Sequence, residues 1–280
     1  LSTGFSIQKT YDAFGRPLSI NLPDQGKILY SYDPLFLRSV SRISSNGDVL
    51  YEHQYTEYDS SGYLQVEKLI GNLGSVQHTV DIKGRKTSIA SPHFNEHYSY
   101  DETDNLVEIT SNGCKIHNSY DELDQLRTEY ENIYVNDTNF NQIEQNGTAW
   151  ICNELDELLS TGEVQCTYDL NGNLLTKDTP REKVSFTYDP LDRLIQVITN
   201  TKQIEMVYEP LGRRLRKIIA ERTSSGSTVE HYLYDGDNDI GAYTSGERPL
   251  QLRVLGLANH QNCPATIAIE LENQPFAPIQ

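Results

Sequence analysis

Cationic side chains are scarce in these 280 residues: 23 lysines and arginines stand against 40 aspartates and glutamates, a formal charge of −17. A surface of that sign repels a duplex or an anionic membrane, so nucleic-acid binding is not expected. No apolar run reaches the roughly 18 residues that a spanning helix needs, so no transmembrane segment is expected either. The glycines fall singly in turn contexts, without a GxGxxG or P-loop pattern, which argues against a nucleotide cofactor. No serine sits in a GxSxG elbow. Cys114, Cys152, Cys166 and Cys263 show no CxxC pairing and are too few to staple a chain this long. Buried free thiols are the expected state, with a Cys152–Cys166 disulfide as the alternative. The opening Leu1-Ser2-Thr3-Gly4 is neither an initiator methionine nor a signal peptide. The chain therefore reads as part of a longer protein, with any targeting signal out of view.

Tyrosine is abundant, with 18 copies against 7 phenylalanines and one tryptophan. A ring carrying a hydroxyl suits the boundary between a packed sheet face and water. Aspartate follows tyrosine at Tyr11-Asp12, Tyr32-Asp33, Tyr58-Asp59, Tyr100-Asp101, Tyr120-Asp121, Tyr168-Asp169, Tyr188-Asp189 and Tyr234-Asp235. Chance would give about one such pair, so these are copies of an internal repeat. Val80-Asp81, Cys152-Asn153 and Tyr208-Glu209 fill the gaps as degenerate copies, and the spacing is roughly 20 residues.

Four residues after the tyrosine position stands Gly15, Gly62, Gly84, Gly172 or Gly212, or else Asp104, Asp124, Asp156, Asp192 or Asn238; only Phe36 departs. These types tolerate positive φ, as a tight hairpin turn requires. Two residues further a leucine restarts a strand, at Leu64, Leu106, Leu126, Leu158, Leu174 and Leu194. The stretch from Val184 to Thr199 shows the unit best. Val184, Phe186 and Tyr188 alternate with polar residues, Asp189-Pro190 breaks the strand, and Ile195, Val197 and Ile198 return it. One hairpin alone is marginal in water, so each must be covered by its neighbours. The predicted fold is all-β, about eleven repeated hairpins in a long coiled antiparallel sheet. Residues 129–148 read as an elaborated polar loop, with Asn136 and Asn146 heading N-x-S/T triplets there as loop residues. After Glu247 the pattern changes to a strand over Leu250–Gly256, a loop over Asn259–Pro264 and a strand over Ala265–Leu271.

Several sharper readings compete with this. His93 and His97 have the spacing of a helical zinc pair, but Pro92 and the Tyr98–Asp101 segment place them in a strand or loop. Asp235, Asp237 and Asp239 resemble the start of a calcium loop, yet the sixth and twelfth positions hold Ile240 and Gly246, so an acidic hairpin turn is expected. Carboxylate pairs are inevitable among 40 acids, and most occupy turn positions, so no catalytic residue is named and no enzyme is expected. The tyrosine series is either a ladder of rings packed between hairpins or an aromatic surface for sugars; its constant register favours packing.

The repeated Tyr-Asp-x-x-Gly/Asp-x-Leu unit resembles the YD repeat of Rhs proteins, of the C component of Tc insecticidal toxin complexes, and of the teneurin extracellular shell. The stretch His231–Tyr243, followed by Arg253-Val254-Leu255-Gly256, is similar to the approach to the Rhs-associated core. The resemblance implies a sheet forming part of a hollow shell, with a YD-repeat wall over residues 1–248 and the start of the core region over 249–280. In such proteins the shell encloses a C-terminal toxin, which the core cuts free with aspartates in a later segment that has no match here. The implied partners are the protein's own C-terminal toxin or cargo domain, the remainder of the shell, and a toxin-complex or secretion-system delivery partner. The implied location is secreted or cell-surface. A teneurin-like adhesion or carbohydrate-binding module is the alternative.

Overall fold

The computed structural model describes residues 7–223, 226–246, 249–258, 264–271 and 274–277. Those residues form β-strands and turns, with no helix among them. Strand neighbours follow chain order in two antiparallel sheets, fifteen strands from Gln8 to Ala149 and thirteen from Ile151 to Phe276. The chain divides into two compact units. One holds Leu1–His93, Tyr208–Lys217 and Val229–Gln280, and the other holds Phe94–Val207 and Ile218–Thr228.

The first unit has a true core. Leu37, Val40 and Ile43 are buried along Leu37–Ile43, and the neighbouring strands add Ile20, Ile28, Tyr51 and Tyr55. Against them pack Leu233, Ile240, Tyr243, Leu252, Val254 and Ala268, from strands some two hundred residues later in the chain. Two sets of strands thereby cover each other's apolar residues. Contact is close enough to require glycine at 256, where a Cβ would run into the Tyr55 hydroxyl and Ile267 Cγ2.

A buried polar cluster lies in this core. Arg42, 2% exposed, donates from Nε to Glu270 Oε1 at 3.0 Å and from Nη1 to the Ile43 carbonyl at 2.7 Å, and also pairs with Asp24. Tyr51 donates its hydroxyl to the same Glu270 oxygen at 2.6 Å. Desolvation, and then the adjacent Glu270 charge, push the Tyr51 pKa upward, so the phenol stays protonated as a donor. Nearer the rim, Lys9 pairs with Asp235 and Tyr30 donates to the Leu255 carbonyl.

The second unit is built differently. It carries 23 acidic and 8 basic side chains, a net −15, so almost all of the chain's −17 resides there. Its strands alternate exposed with half-buried positions, as in Asn95–Tyr100 and Cys114–Tyr120. Among the described residues, Met206 is its one fully buried apolar side chain.

Residues 129–148, expected as a loop, are hairpins: strands Asn132–Asn136, Gln142–Gln145 and Thr148–Ala149. Asn136-Asp137 is a further copy in which asparagine replaces tyrosine, which a search keyed on tyrosine passes over. Asn136 donates to the Leu126 carbonyl at 3.0 Å, and Asn146 accepts from the Ile133 amide at 2.8 Å, so both are turn and strand residues. The strands near the C-terminus run Pro249–Ala258, Pro264–Leu271 and Gln274–Phe276. The expected loop over Asn259–Pro264 lies almost wholly outside the described residues, as does Cys263.

Cys114 is exposed, and Cys152 and Cys166 are half-buried free thiols, so full burial is corrected and no Cys152–Cys166 bridge forms. The strand Leu158–Ser160 lies between theirs, an offset of about 10 Å, beyond the reach of a disulfide.

Replacing Arg42 by alanine strands the buried Glu270 carboxylate. Chemical denaturation should show a loss of about 3–5 kcal/mol, with only partial recovery in Arg42→Lys, because an ammonium lacks the guanidinium fork.

Candidate functional site

The feature that the molecule repeats is the turn after each Tyr-Asp pair. In Asp189-Pro190-Leu191-Asp192-Arg193 the Asp189 amide bonds the Arg193 carbonyl at 2.9 Å, and the Asp192 amide bonds the Asp189 carbonyl at 3.0 Å. Asp192 closes this three-residue loop at φ 57°. That is the left-handed residue of a G1-bulge hairpin. The ladder register steps between Thr187 and Tyr188, as it does before Tyr120, Tyr168 and Tyr234. The left-handed positions are Gly15, Gly62, Gly84, Gly172, Gly212, Asp104, Asp124, Asp156 and Asp192, in agreement with the residue types. Phe140 joins them at φ 67°. Asn238 does not: there a two-residue turn pairs Asp235 with Asn238, and Gly236 takes the positive φ of 59°.

The aspartate of the pair organises the loop. Asp189 Oδ1 accepts from the Leu191 and Arg193 amides at 2.9 and 3.0 Å, and Oδ2 accepts from Arg193 Nε at 2.7 Å. The same scheme recurs at Asp12, Asp81, Asp101, Asp121, Asp137 and Asp169. Asp59 and Asn153 hold the two amides in the same way. Asp33 binds the amides of Leu35 and Phe36 instead, a tighter loop consistent with Phe36. The Arg193 side chain leads in pulling the Asp189 pKa down, opposed by partial desolvation and helped by the amides. At Asp169 the Asn173 amide leads.

The residue four after the aspartate is a functional position that the sequence pattern contains but tyrosine-centred reading misses. In six copies its side chain holds the acid of its own turn and also reaches the next turn along the edge. Arg16 bonds Asp12 and the Asp33 carbonyl, and Gln125 bonds Asp121 and the Asp137 carbonyl. Asn105 donates to Asp124 at 2.7 Å, Asn141 to Asp156 at 2.6 Å and Asn173 to Asp192 at 2.7 Å. Arg213 pairs with Glu209 and donates to the Gly236 carbonyl. Arg16 and Arg213 further lie over the next tyrosine rings, Tyr32 and Tyr234.

The tyrosines point back along the chain. Tyr58 donates to the Leu37 carbonyl at 2.7 Å, Tyr120 to Leu106 at 2.9 Å and Tyr168 to Leu158 at 2.9 Å. Each leucine belongs to the strand returning from an earlier turn, so tyrosine ties one hairpin to its predecessor while the fourth residue ties it to its successor. The rings of Tyr32, Tyr100, Tyr188, Tyr208 and Tyr234 are half-buried too, and Tyr11 is exposed.

Other candidate groups sit apart from any common centre. His93 and His97 are both exposed, and among the described residues no group of three or more His, Cys, Asp or Glu is placed to hold a metal. Asp235 pairs with Lys9, and Asp239 accepts the Gly241 amide at 3.1 Å. Glu67 is held by His53 and His78, each at 2.8 Å. Although desolvation opposes it, those bonds push the Glu67 pKa down to about 2. Hydrogen bonds and neighbouring cations hold the carboxylates of Asp101, Glu108 and Glu209 below their ordinary pKa. A general acid working near neutrality needs the opposite shift. An open depression near Tyr134 and Phe140 offers one carboxylate, Asp124, already bonded to Asn105.

Residues 168–203 match the family described as RHS Repeat, a span that includes the turns at Asp169 and Asp189. No curated protein matches the chain. Solved structures to which the chain is similar include the crystal structures of TcdB2-TccC3-TEV, at 11% identity, and of TcdB2-TccC3-Cdc42 and TcdB2-TccC3, at 12% each. Each gives a TM-score of 0.43 over 95% of this chain and 18% of the other. The chain thus spans under a fifth of the length of those structures.

Tyr168→Phe removes the hydroxyl that bonds the Leu158 carbonyl and should cost about 1 kcal/mol in urea unfolding. Tyr120→Phe should cost less, since Asn118 also donates to the Leu106 carbonyl at 2.9 Å. Glu67, lowered in the folded state, contributes stability above its unfolded pKa that is lost as pH falls from about 4.5 towards about 2. Acid titration followed by circular dichroism should show this limb flattened in Glu67→Gln.

Proposed function

We propose that this chain, an RHS-repeat protein, is a structural wall that encloses and shields a cargo polypeptide belonging to the same protein. The observation that carries this reading is the relay of turns. Six copies commit the acid to its own loop and the fourth side chain to the next loop as well, an arrangement suited to extending a sheet and poorly suited to binding a substrate. The side chains that would tempt a catalytic assignment are the ones the hairpins use. A net −15 over the second unit, with little continuous apolar area, gives a cargo few surfaces to collapse onto. On this reading residues 1–248 are wall and 249–280 begin the core region that precedes the cargo, a C-terminal toxin. The remainder of the shell and a delivery partner complete the assembly, which acts outside the producing cell or at its surface. Sugar binding by an adhesion module needs open aromatic faces, whereas Tyr58, Tyr120 and Tyr168 are half-buried with their hydroxyls bound to backbone.

Limited proteolysis of the full-length protein tests the wall. The segment beyond residue 280 should resist digestion in the wild type and become cleavable in Asp169→Ala/Asp189→Ala, which opens two adjacent turns. Equal digestion in both proteins overturns enclosure.

A further inference from the structure

Five successive turns of the second unit each hold one large apolar side chain out in solvent: Leu123, Phe140, Leu155, Leu170 and Leu191. Scattered exposed leucines are ordinary. They lie on the same turn loop and along one edge of the strand series, at the second loop position in Leu123, Leu155 and Leu191, the first in Leu170 and the third in Phe140. Hairpins of paired strands repeat every ~10 Å, so the loops that carry these side chains follow one another at about that spacing, with the Asn141–Asp156 bond continuing the series where one sheet ends and the next begins. Nothing in the turn chemistry asks for leucine at the second loop position, since Ser61, Thr103, Asn139 and Asn171 serve there. Phe140 is the clearest case, standing at φ 67°, a region that bulky residues avoid and that the other copies fill with glycine or aspartate. The row is also held in place, because Asn141 bonds Asp156 and Asn173 bonds Asp192 across neighbouring turns.

Charge selects the occupant. Glu122 and Glu154 stand beside Leu123 and Leu155 at the tips, within a unit of net −15. A second copy would bring the same acids into contact and be repelled. A partner that complements the edge places apolar side chains about 10 Å apart and flanks them with lysine or arginine. An α-helix does so with one apolar residue in every seven, a rise of about 10.5 Å. We propose that this row of turn tips is a docking edge for a cationic amphipathic helix. The edge is argued from exposed tips and local charge, so it stands independently of cargo enclosure.

The probe is a synthetic helix with leucine at every seventh position and lysine at the flanking ones, titrated against the whole chain by fluorescence anisotropy. Leu123→Ser/Leu155→Ser/Leu170→Ser/Leu191→Ser should weaken binding about tenfold or more, with an unchanged circular dichroism spectrum because the side chains are already in water. Glu122→Lys/Glu154→Lys and raised salt should each weaken it as well. Equal binding by the serine variant, or by a peptide with its leucines replaced by serine, would reduce the contact to bulk charge and overturn the proposal. Indifference to salt, or no binding at all, would overturn it too. Concentration-dependent self-association of the wild type that the serine variant abolishes would make a second copy the occupant instead.

Discussion

An ionised aspartate held by two backbone amides and one side chain is the contact on which the repeat depends. The three-residue loop leaves amides that have no strand partner, and a carboxylate accepts them at short range while staying charged. Because both oxygens are in use, the fourth residue is drawn to the loop and is then in position to bond the next one. Extension of the sheet follows from the chemistry of its turns. The tyrosine supplies the reverse connection, reaching back to a leucine carbonyl at the stepped register.

The two units reach stability by different routes. Around Arg42 and Glu270 the chain closes a dry core from strands far apart in sequence, and a buried ion pair is tolerable there because Asp24, Tyr51 and the Ile43 carbonyl satisfy the charges. The second unit has little full burial. Local bonds repeated at each turn must supply what the missing core does not, which accounts for the consistency of the turn sequences over residues 101–193. It also accounts for where the charge lies. A sheet whose stability does not depend on buried apolar area can carry many acids on its faces.

Much of this was legible in the chain. The left-handed positions could be read because glycine and aspartate are the types that tolerate them, and nine of those anticipated adopt positive φ. Asn238 misled because a two-residue turn moved the positive φ to Gly236, and turn length is not written in residue type. The hairpins within 129–148 were missed because Asn136 replaces tyrosine while preserving what tyrosine does, a donor to the preceding leucine carbonyl. The thiols of Cys152 and Cys166 looked pairable only while the intervening strand was unseen.

The sequence by itself determined an all-β chain of repeated hairpins, the place of each turn and the absence of a recognisable catalytic motif, because those depend on residues within about ten positions of one another. Only the tertiary structure decided that the strands before Tyr58 pack on those after Val229, since Arg42 and Glu270 meet across 228 residues with no local signal to announce it. Only it showed which side of each turn faces water, and so separated the tyrosines that bind backbone from the leucines left exposed at the tips. Register and distant packing set those outcomes, and both are properties of the assembled sheets rather than of any short stretch of chain.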